Sequence, residues 1–345
     1  MPANSLLLSS SPSAFAGAST RKVMAAVVVA LLPTTVYGIV LYGIPALLVV
    51  LTSVAASVLS EWGFRALIRK PVSIGDLSAV VTGLLLALVI PASTPLWMVA
   101  LGAVFAIVVV KEFFGGIGAN PFNPALAGRA MLLMSFPAAL TAWTAPFSAD
   151  AVATATPLGV YKTAEQALLQ AGSGAAEAAS SAMAQLLDKV GANDMGGLYW
   201  TMFLGNRSGS LGESSILLIL VGAALLLALG VIQWIIPVAM IGSVFLGSWA
   251  LGLDPVLAVL SGGVVLGAFF MATDYSSSPM TPKGKAFFGV GAGLLTVLIR
   301  RFGAFPEGVT YGILLMNALT PFLDKLRVKK FGFVPPAKPA KEAAK

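Results

Sequence analysis

Apolar side chains run along this chain in blocks of sixteen to twenty or so, each closed by a short polar or Gly/Pro-containing stretch. A helix crossing the hydrocarbon of a bilayer needs about 20 mostly apolar residues. Ten blocks meet that pattern: 23–42, 44–61, 77–95, 97–115, 124–142, 213–231, 233–251, 256–273, 286–301 and 307–324. The pattern predicts an all-α integral membrane protein. Its ten transmembrane helices form two five-helix halves, 21–142 and 213–325, with broken or re-entrant segments. Pro33, Pro45, Pro91 and Pro237 fall in or near these blocks; buried membrane helices tolerate proline where neighbours satisfy the freed carbonyls.

Between the halves lies one long polar stretch, 143–212. Its middle, 163–190, is rich in Ala, Gln, Leu and Glu and predicts one or two short surface helices, interrupted at Gly172-Ser173-Gly174. Residues 1–20 carry no charged side chain and read as a polar lead-in, not a cleaved signal. Residues 326–345 form a basic, proline-containing tail.

Composition supports the membrane reading. Hydrophobic residues make up 58% of the 345 and charged residues 10%, against about 25% in a soluble domain. The net charge of +7 does not call for nucleic acid, because its basic residues sort by side of the membrane. With the amino terminus inside and ten spans, 16 of the 21 Lys and Arg residues fall on one side, including Arg65, Lys111, Arg129 and the tail. That bias places both termini in the cytoplasm and 143–212 outside; Arg300-Arg301 is the exception to it. Cys and His are both absent, which excludes thiolate metal sites, iron–sulfur clusters and His-ligated haem on this chain. Electron transfer here requires an organic cofactor or an oxygen-ligated metal.

Three segments carry candidate chemistry. Asp150-Ala-Val-Ala-Thr-Ala-Thr-Pro-Leu158 opens the polar stretch, and the Thr before Pro is biased to an extended backbone that presents its hydroxyl. As a bare pattern it is also an ordinary loop. Gly115-Gly-Ile-Gly-Ala-Asn-Pro-Phe-Asn-Pro124 cannot be regular helix; it reads either as a tight interhelical turn or as backbone that lines a polar cavity and grips a heterocycle's polar edge. Gly205-Asn-Arg-Ser-Gly-Ser-Leu-Gly-Glu213 reads first as a helix start capped by Ser210 or Gly212, and second as an anion-binding turn around Arg207. Lys111-Glu112 reads as an interfacial pair and Asp76 as a helix cap.

An internal echo links the halves: Phe113-Phe114 precedes Asn120-Pro-Phe-Asn-Pro124, and Phe269-Phe270 precedes Ser278-Pro-Met-Thr-Pro282. Such duplication with broken helices is common in transporters. The expectation is that the two segments face each other near the cytoplasmic side. There Asn120, Asn123, Ser278 and Thr281 would serve a ligand's polar edge and the four Phe rings its faces. A cavity for such a ligand measures about 300–1,000 Å³.

Taken with Gly118-Ala-Asn-Pro-Phe-Asn-Pro-Ala-Leu-Ala-Gly-Arg129, Asp274-Tyr-Ser-Ser-Ser-Pro-Met-Thr-Pro-Lys-Gly284, Pro306-Glu-Gly308 and Met316-Asn-Ala-Leu319, these segments resemble one family over about 20–330. It comprises the D component of the bacterial Rnf complex and the B component of the sodium-pumping NADH:quinone oxidoreductase. The short amino terminus is more like the former. The resemblance implies a membrane flavoprotein of the bacterial inner membrane, one member of a translocase. That complex couples ferredoxin/NAD electron transfer to sodium or proton transport, and the implied partners are the other Rnf subunits and a flavin transferase. It implies FMN held by a phosphoester on Thr156, and a non-covalent riboflavin. The attachment motif runs Asp-x-x-Ser/Thr-x-Ala-Thr. Asp150, Ala155 and Thr156 match it, and Ala153 stands at the Ser/Thr position. Arg129, at the end of the Asn-Pro segment, is carried over as a further cofactor-binding candidate. The alternative is a channel or secondary transporter without redox chemistry, which would have no use for Thr156 in this context.

Overall fold

The computed structural model describes residues 19–147, 153–154, 156–170, 184, 187, 194–303 and 307–325. The lead-in, the tail, Asp150, Ala155, Gly172–Gly174 and Pro306 lie outside the described residues.

Helix α1, Thr20–Leu67, is 48 residues long and is two helical segments joined at Gly43 (φ 69°, ψ −148°), with Pro45 just beyond. The expected spans 23–42 and 44–61 fall on either side of that glycine. Pro33, by contrast, sits inside the helix without ending it. A second long helix, Pro282–Phe302, has 21 residues, or about 32 Å at the helical rise. These two are long and apolar enough to cross a membrane alone.

Shorter helices fill the remaining blocks. In the first half these are α2 (Ser78–Leu88), α3 (Leu96–Val104, continuing as π-helix over Phe105–Glu112), α4 (Pro124–Ser135) and α5 (Pro137–Leu140). A two-residue ribbon follows, β1 (Trp143–Thr144) antiparallel to β2 (Ala153–Thr154). Next come α6 (Pro157–Gln170) and α7 (Met195–Leu204). The second half holds α8 (Ile216–Ala228), α9 (Ile235–Ala250), α10 (Pro255–Leu260), α11 (Val264–Leu266, continuing as π-helix over Gly267–Met271), α12 (Pro282–Phe302) and α13 (Val309–Leu323).

Three of the expected spans are interrupted, each by local chemistry. Block 77–95 is helical only to Leu88, because Pro91 and Pro95 cannot continue the helix. Pro91 therefore ends this helix instead of sitting within it. Block 124–142 breaks at Phe136, before Pro137. Block 256–273 breaks at Ser261-Gly262-Gly263, where both glycines take positive φ (61° and 67°). The short pieces are held by the rest of the bundle: Leu86, Leu88, Ile90, Leu126, Leu132 and Phe288 are fully buried in one continuous core.

Helices approach closely where small residues let them, as expected where lipid provides no hydrophobic drive between helices. A Cβ on Gly289 of α12 would stand 2.7 Å from Ala239 Cβ and 2.8 Å from the Ile236 carbonyl of α9. Outward faces stay apolar: Val36, Val40, Ile44 and Leu59 of α1 are all more than half exposed. A surface of that kind is suited to lipid.

Candidate functional site

Thr156 is the residue that starts α6. Its hydroxyl Oγ1 accepts from Gly159 N (3.1 Å), its carbonyl accepts from Val160 N (3.0 Å), and Pro157 opens the helix. A Thr cap followed by Pro at the first helical position is a local start signal that needs no tertiary help. The side chain is half-buried, and α6 carries no acidic residue in its first turn. The positive end of α6 therefore lies at this hydroxyl, which favours a negative charge there.

The segment is anchored on both sides. Upstream, β1 pairs with β2 in the register Trp143↔Thr154 and Thr144↔Ala153, while Phe147 N donates to the Leu41 carbonyl (2.8 Å) beside the Gly43 break. Downstream, α6 docks on the second half. Leu158 packs over Gly262, Lys162 Nζ donates to the Gly303 carbonyl, and Tyr161 OH accepts from Asp254 N (3.0 Å). Asp254 gathers three helices: it caps α10 through Val256 N and Leu257 N (both 2.9 Å) and accepts from Tyr199 OH of α7. Burial, with the Asp254 carboxylate beside it, raises the Tyr199 phenol above its ordinary range. Burial likewise lowers the Lys162 ammonium. Asp254, Tyr161 and Tyr199 do not stand out in the sequence; Asp254-Pro255 was the available signal, an N-cap followed by Pro.

Beneath Leu158, two buried arginines close the end of α10. Arg300 donates to the carbonyls of Ala258 (2.6 Å), Ser261 (2.9 Å) and Gly262 (3.2 Å), and Arg207 donates to those of Leu260 (2.6 Å) and Glu213 (2.7 Å). Those of Ala258, Leu260, Ser261 and Gly262 are carbonyls at the broken end of α10, which the helix leaves without partners. Arg207 thus serves backbone, not an anion. The cap of α8 is Ser215, which accepts from Leu218 N, and not Ser210 or Gly212. Arg300, the exception to the charge bias, has its guanidinium inside the protein.

The Asn120–Pro124 segment makes its contacts with the residues just before Ser278–Pro282 and with α13. Asn123 caps α4 and donates to the Met271 carbonyl (3.1 Å); Ser276 Oγ donates to Asn120 Oδ1 (2.8 Å); Asn317 donates to the Ser277 carbonyl (2.9 Å). Asn120, Asn123, Phe269, Phe270, Asp274 and Ser276 border a cavity of about 90 Å³, smaller than a flavin site of the expected size. Ser278 and Thr281 do not line it. Thr281 is the N-cap of α12, and the Ser278 amide closes a turn onto the Asp274 carbonyl (3.1 Å). Phe113 and Phe114 point away, both more than half exposed. Arg129 is also elsewhere, paired with Glu307 and donating to Thr310 Oγ1 (2.8 Å).

A third cluster is made of charge. Glu61, Lys111 and Glu112 are at most 4% exposed. Lys111 Nζ lies 2.6 Å from Glu61 Oε2 and 2.6 Å from Ser78 Oγ, while Arg65 grips Glu112 through two bonds of 2.9 and 3.1 Å. Lys111 and Glu112 therefore pair with α1, not with each other at an interface. Gly116 (φ 94°) lets the chain turn over this cluster: a Cβ there would stand 2.5 Å from Arg65 Nη2. Asp76 accepts from Ser78 N (2.7 Å) at the start of α2, one residue before the N-cap position, which is Leu77.

Apolar outer faces, interrupted helices and charge sealed inside the bundle fit a helical membrane protein, and two of the described helices are long and apolar enough to cross a bilayer. The chain belongs to the NQR2, RnfD, RnfE family, whose model matches residues 7–332. A relative in Clostridium ljungdahlii, the D component of a proton-translocating ferredoxin:NAD(+) oxidoreductase complex, is 44% identical, with 95% of this chain and 97% of the relative aligned. The corresponding D component of the Na(+)-translocating complex of Acetobacterium woodii is 41% identical, with 93% of each chain aligned. The D component of an ion-translocating oxidoreductase complex of Stutzerimonas stutzeri is 38% identical over 91% of this chain and 92% of the relative.

Proposed function

We propose that this chain is the membrane flavoprotein subunit of an ion-translocating ferredoxin:NAD oxidoreductase complex, with FMN joined by a phosphoester to Thr156. The observation that carries the reading is the placement of the Thr156 hydroxyl at the amino end of α6, on a segment clamped to both halves of the molecule. Relatives that are 38–44% identical and are named as D components of such complexes support the assignment. Sodium and proton both occur in those names, so the reading takes the transported ion as one or the other.

The bound FMN would supply reversible one- and two-electron transfer. The chain's part is to hold and place it. The positive end of α6 favours the phosphate's negative charge, and the ribbon and α6 contacts restrict where the tether starts. Tethering holds the ring at high local concentration for its redox partners. A non-covalent riboflavin belongs to the same reading. The Asn120–Asn123 cavity, at about 90 Å³, would have to widen to admit one. The other Rnf subunits and a flavin transferase are the partners this function needs.

The reading places the chain in the bacterial cytoplasmic membrane in ten passes, three of them interrupted, with both termini cytoplasmic and 143–212 exterior. Thr156→Ala is expected to abolish the ultraviolet fluorescence of the denatured protein band, while Thr154→Ala retains it. Full fluorescence in Thr156→Ala removes the assignment. For orientation, a Cys at Ser173 in this cysteine-free chain is expected to react with an impermeant maleimide on intact cells. Labelling only after the cytoplasmic face is opened reverses the topology.

A further inference from the structure

The outer face of α12 is apolar along most of its length and cationic at one end only. Phe287, Val290, Leu294 and Leu298 are each 40% or more exposed, and their spacing of three or four residues puts them on one face of the helix. Lys283, also exposed, stands four residues before Phe287 at the head of that stripe, and exposed Phe302 stands at its foot. Helix α13 repeats the arrangement in the opposite direction. Leu315, Leu319 and Phe322 are exposed at the same spacing and lead to exposed Lys325, whose ammonium lies 5.2 Å from the centre of the Phe322 ring. The two cationic ends coincide. A Cβ on Gly284 would stand 3.2 Å from the Leu323 carbonyl, and Met280 N donates to Asp324 Oδ1 (2.8 Å), so the start of α12 lies against the end of α13. Lys285 joins them and donates to Gln233 Oε1 (2.9 Å), just before α9. No carboxylate pairs with Lys283 or Lys325 among the described residues.

We propose that this surface is a binding site for an anionic phospholipid, its phosphate held by Lys283, Lys285 and Lys325 and its acyl chains laid along the Phe287 and Phe322 stripes. Charge and length both point to that occupant. Clusters of lysines where spanning helices meet the headgroups attract anionic lipids. Lysine suits the task, because its stem lies on apolar surface while its ammonium reaches the headgroup. The sequence adds Arg327, Lys329 and Lys330 within five residues of Lys325. From Lys283 to Leu298 the helix runs about 22 Å, more than the roughly 15 Å of hydrocarbon in one leaflet. An acyl chain whose phosphate sits at Lys283 therefore has apolar side chain beside it for its whole length. A zwitterionic lipid would bring its own cation to three lysines, and free phosphate would leave the stripes unused.

The test uses the full chain in phosphatidylcholine vesicles. Phe287→Trp places a fluorescent reporter on the exposed stripe, isolated by subtracting the emission of the unaltered chain. Brominated phosphatidylglycerol, as a minor component, is expected to quench this reporter at least about fivefold more effectively than brominated phosphatidylcholine at the same fraction, the factor one lysine near an anionic lipid supplies. Adding Lys283→Gln, Lys285→Gln and Lys325→Gln together should bring the two lipids to equality. Arg21→Gln, Arg69→Gln and Lys70→Gln together remove the same charge from exposed positions outside the site and should leave the preference in place. Equal quenching by the two lipids in Phe287→Trp, or the same loss in both triple variants, overturns the site. A preference abolished by excess inorganic phosphate overturns the lipid in favour of a simple anion site. A lysine variant that keeps the preference but no longer assembles with the other subunits makes the surface a protein interface and likewise overturns the lipid.

Discussion

Lys111→Met is expected to destabilise the detergent-solubilised protein by about 3–5 kcal/mol, the usual cost of leaving one member of a buried ion pair behind. Glu61 is fully buried and Lys111 nearly so, so neither charge can turn to water when the other is removed. Glu61 also accepts from Ser73 Oγ, and Lys111 donates to Ser78 Oγ, so four side chains from α1, the 73–78 turn and the π-helical end of α3 share one network. The double variant Glu61→Leu/Lys111→Met is expected to recover most of the loss, because replacing both partners by apolar groups removes the desolvation cost along with the attraction. Thermal unfolding of the three proteins checks this. A single variant as stable as the parent would mean that the pair is solvated and that the bundle is open at this point.

Arg300→Leu should have an effect of similar size for a different reason. It leaves the carbonyls of Ala258, Ser261 and Gly262 without their donor, and an unsatisfied buried polar group costs about 1–3 kcal/mol. With three such groups the expected total is about 3 kcal/mol or more. Because Leu158 rests on Gly262, the disturbance reaches the segment that carries Thr156. Flavin fluorescence per mole of protein should therefore fall together with the unfolding temperature. Arg301→Leu, its neighbour, lies on a half-buried position and is the control expected to do less on both measures. Equal losses in the two variants would point to general charge removal and away from the carbonyl clamp.

Much of the architecture could be read along the chain, because apolar blocks and their proline and glycine punctuation are local signals. The break at Gly43 falls between two expected spans, and Gly115, Gly116 and Gly118 all take positive φ in the stretch read as non-helical. What could not be read was how the pieces satisfy one another. Hydropathy counts Val89–Pro95 as membrane-compatible, but it does not register that the helix stops at Leu88. Likewise Lys111-Glu112 looks like a pair in sequence, whereas successive helical residues do not face each other, and their partners Glu61 and Arg65 come from another helix. At the site, the Asn-Pro segment meets the residues just before the Ser-Pro segment, Met271 to Ser276, and not the Ser278–Pro282 positions the echo picked out. The choice of Thr281 as a ligand-facing group missed that a residue before a Pro-initiated helix is most useful as a cap, and Ser278 instead closes a turn onto Asp274. Thr156 stood out through its motif, but Asp254, Tyr161 and Tyr199, which hold its segment, sit on three separate helix starts and faces that no local pattern links.

The central claim is the phosphoester on Thr156, and mass spectrometry of the 150–162 region of protein purified from its native membrane tests it most directly. The account predicts one species carrying the added mass of a single FMN less one water, with fragmentation placing it on Thr156 and not on Thr154. Unmodified peptide alone, in protein from membranes that are active in ferredoxin-dependent NAD reduction, would contradict it.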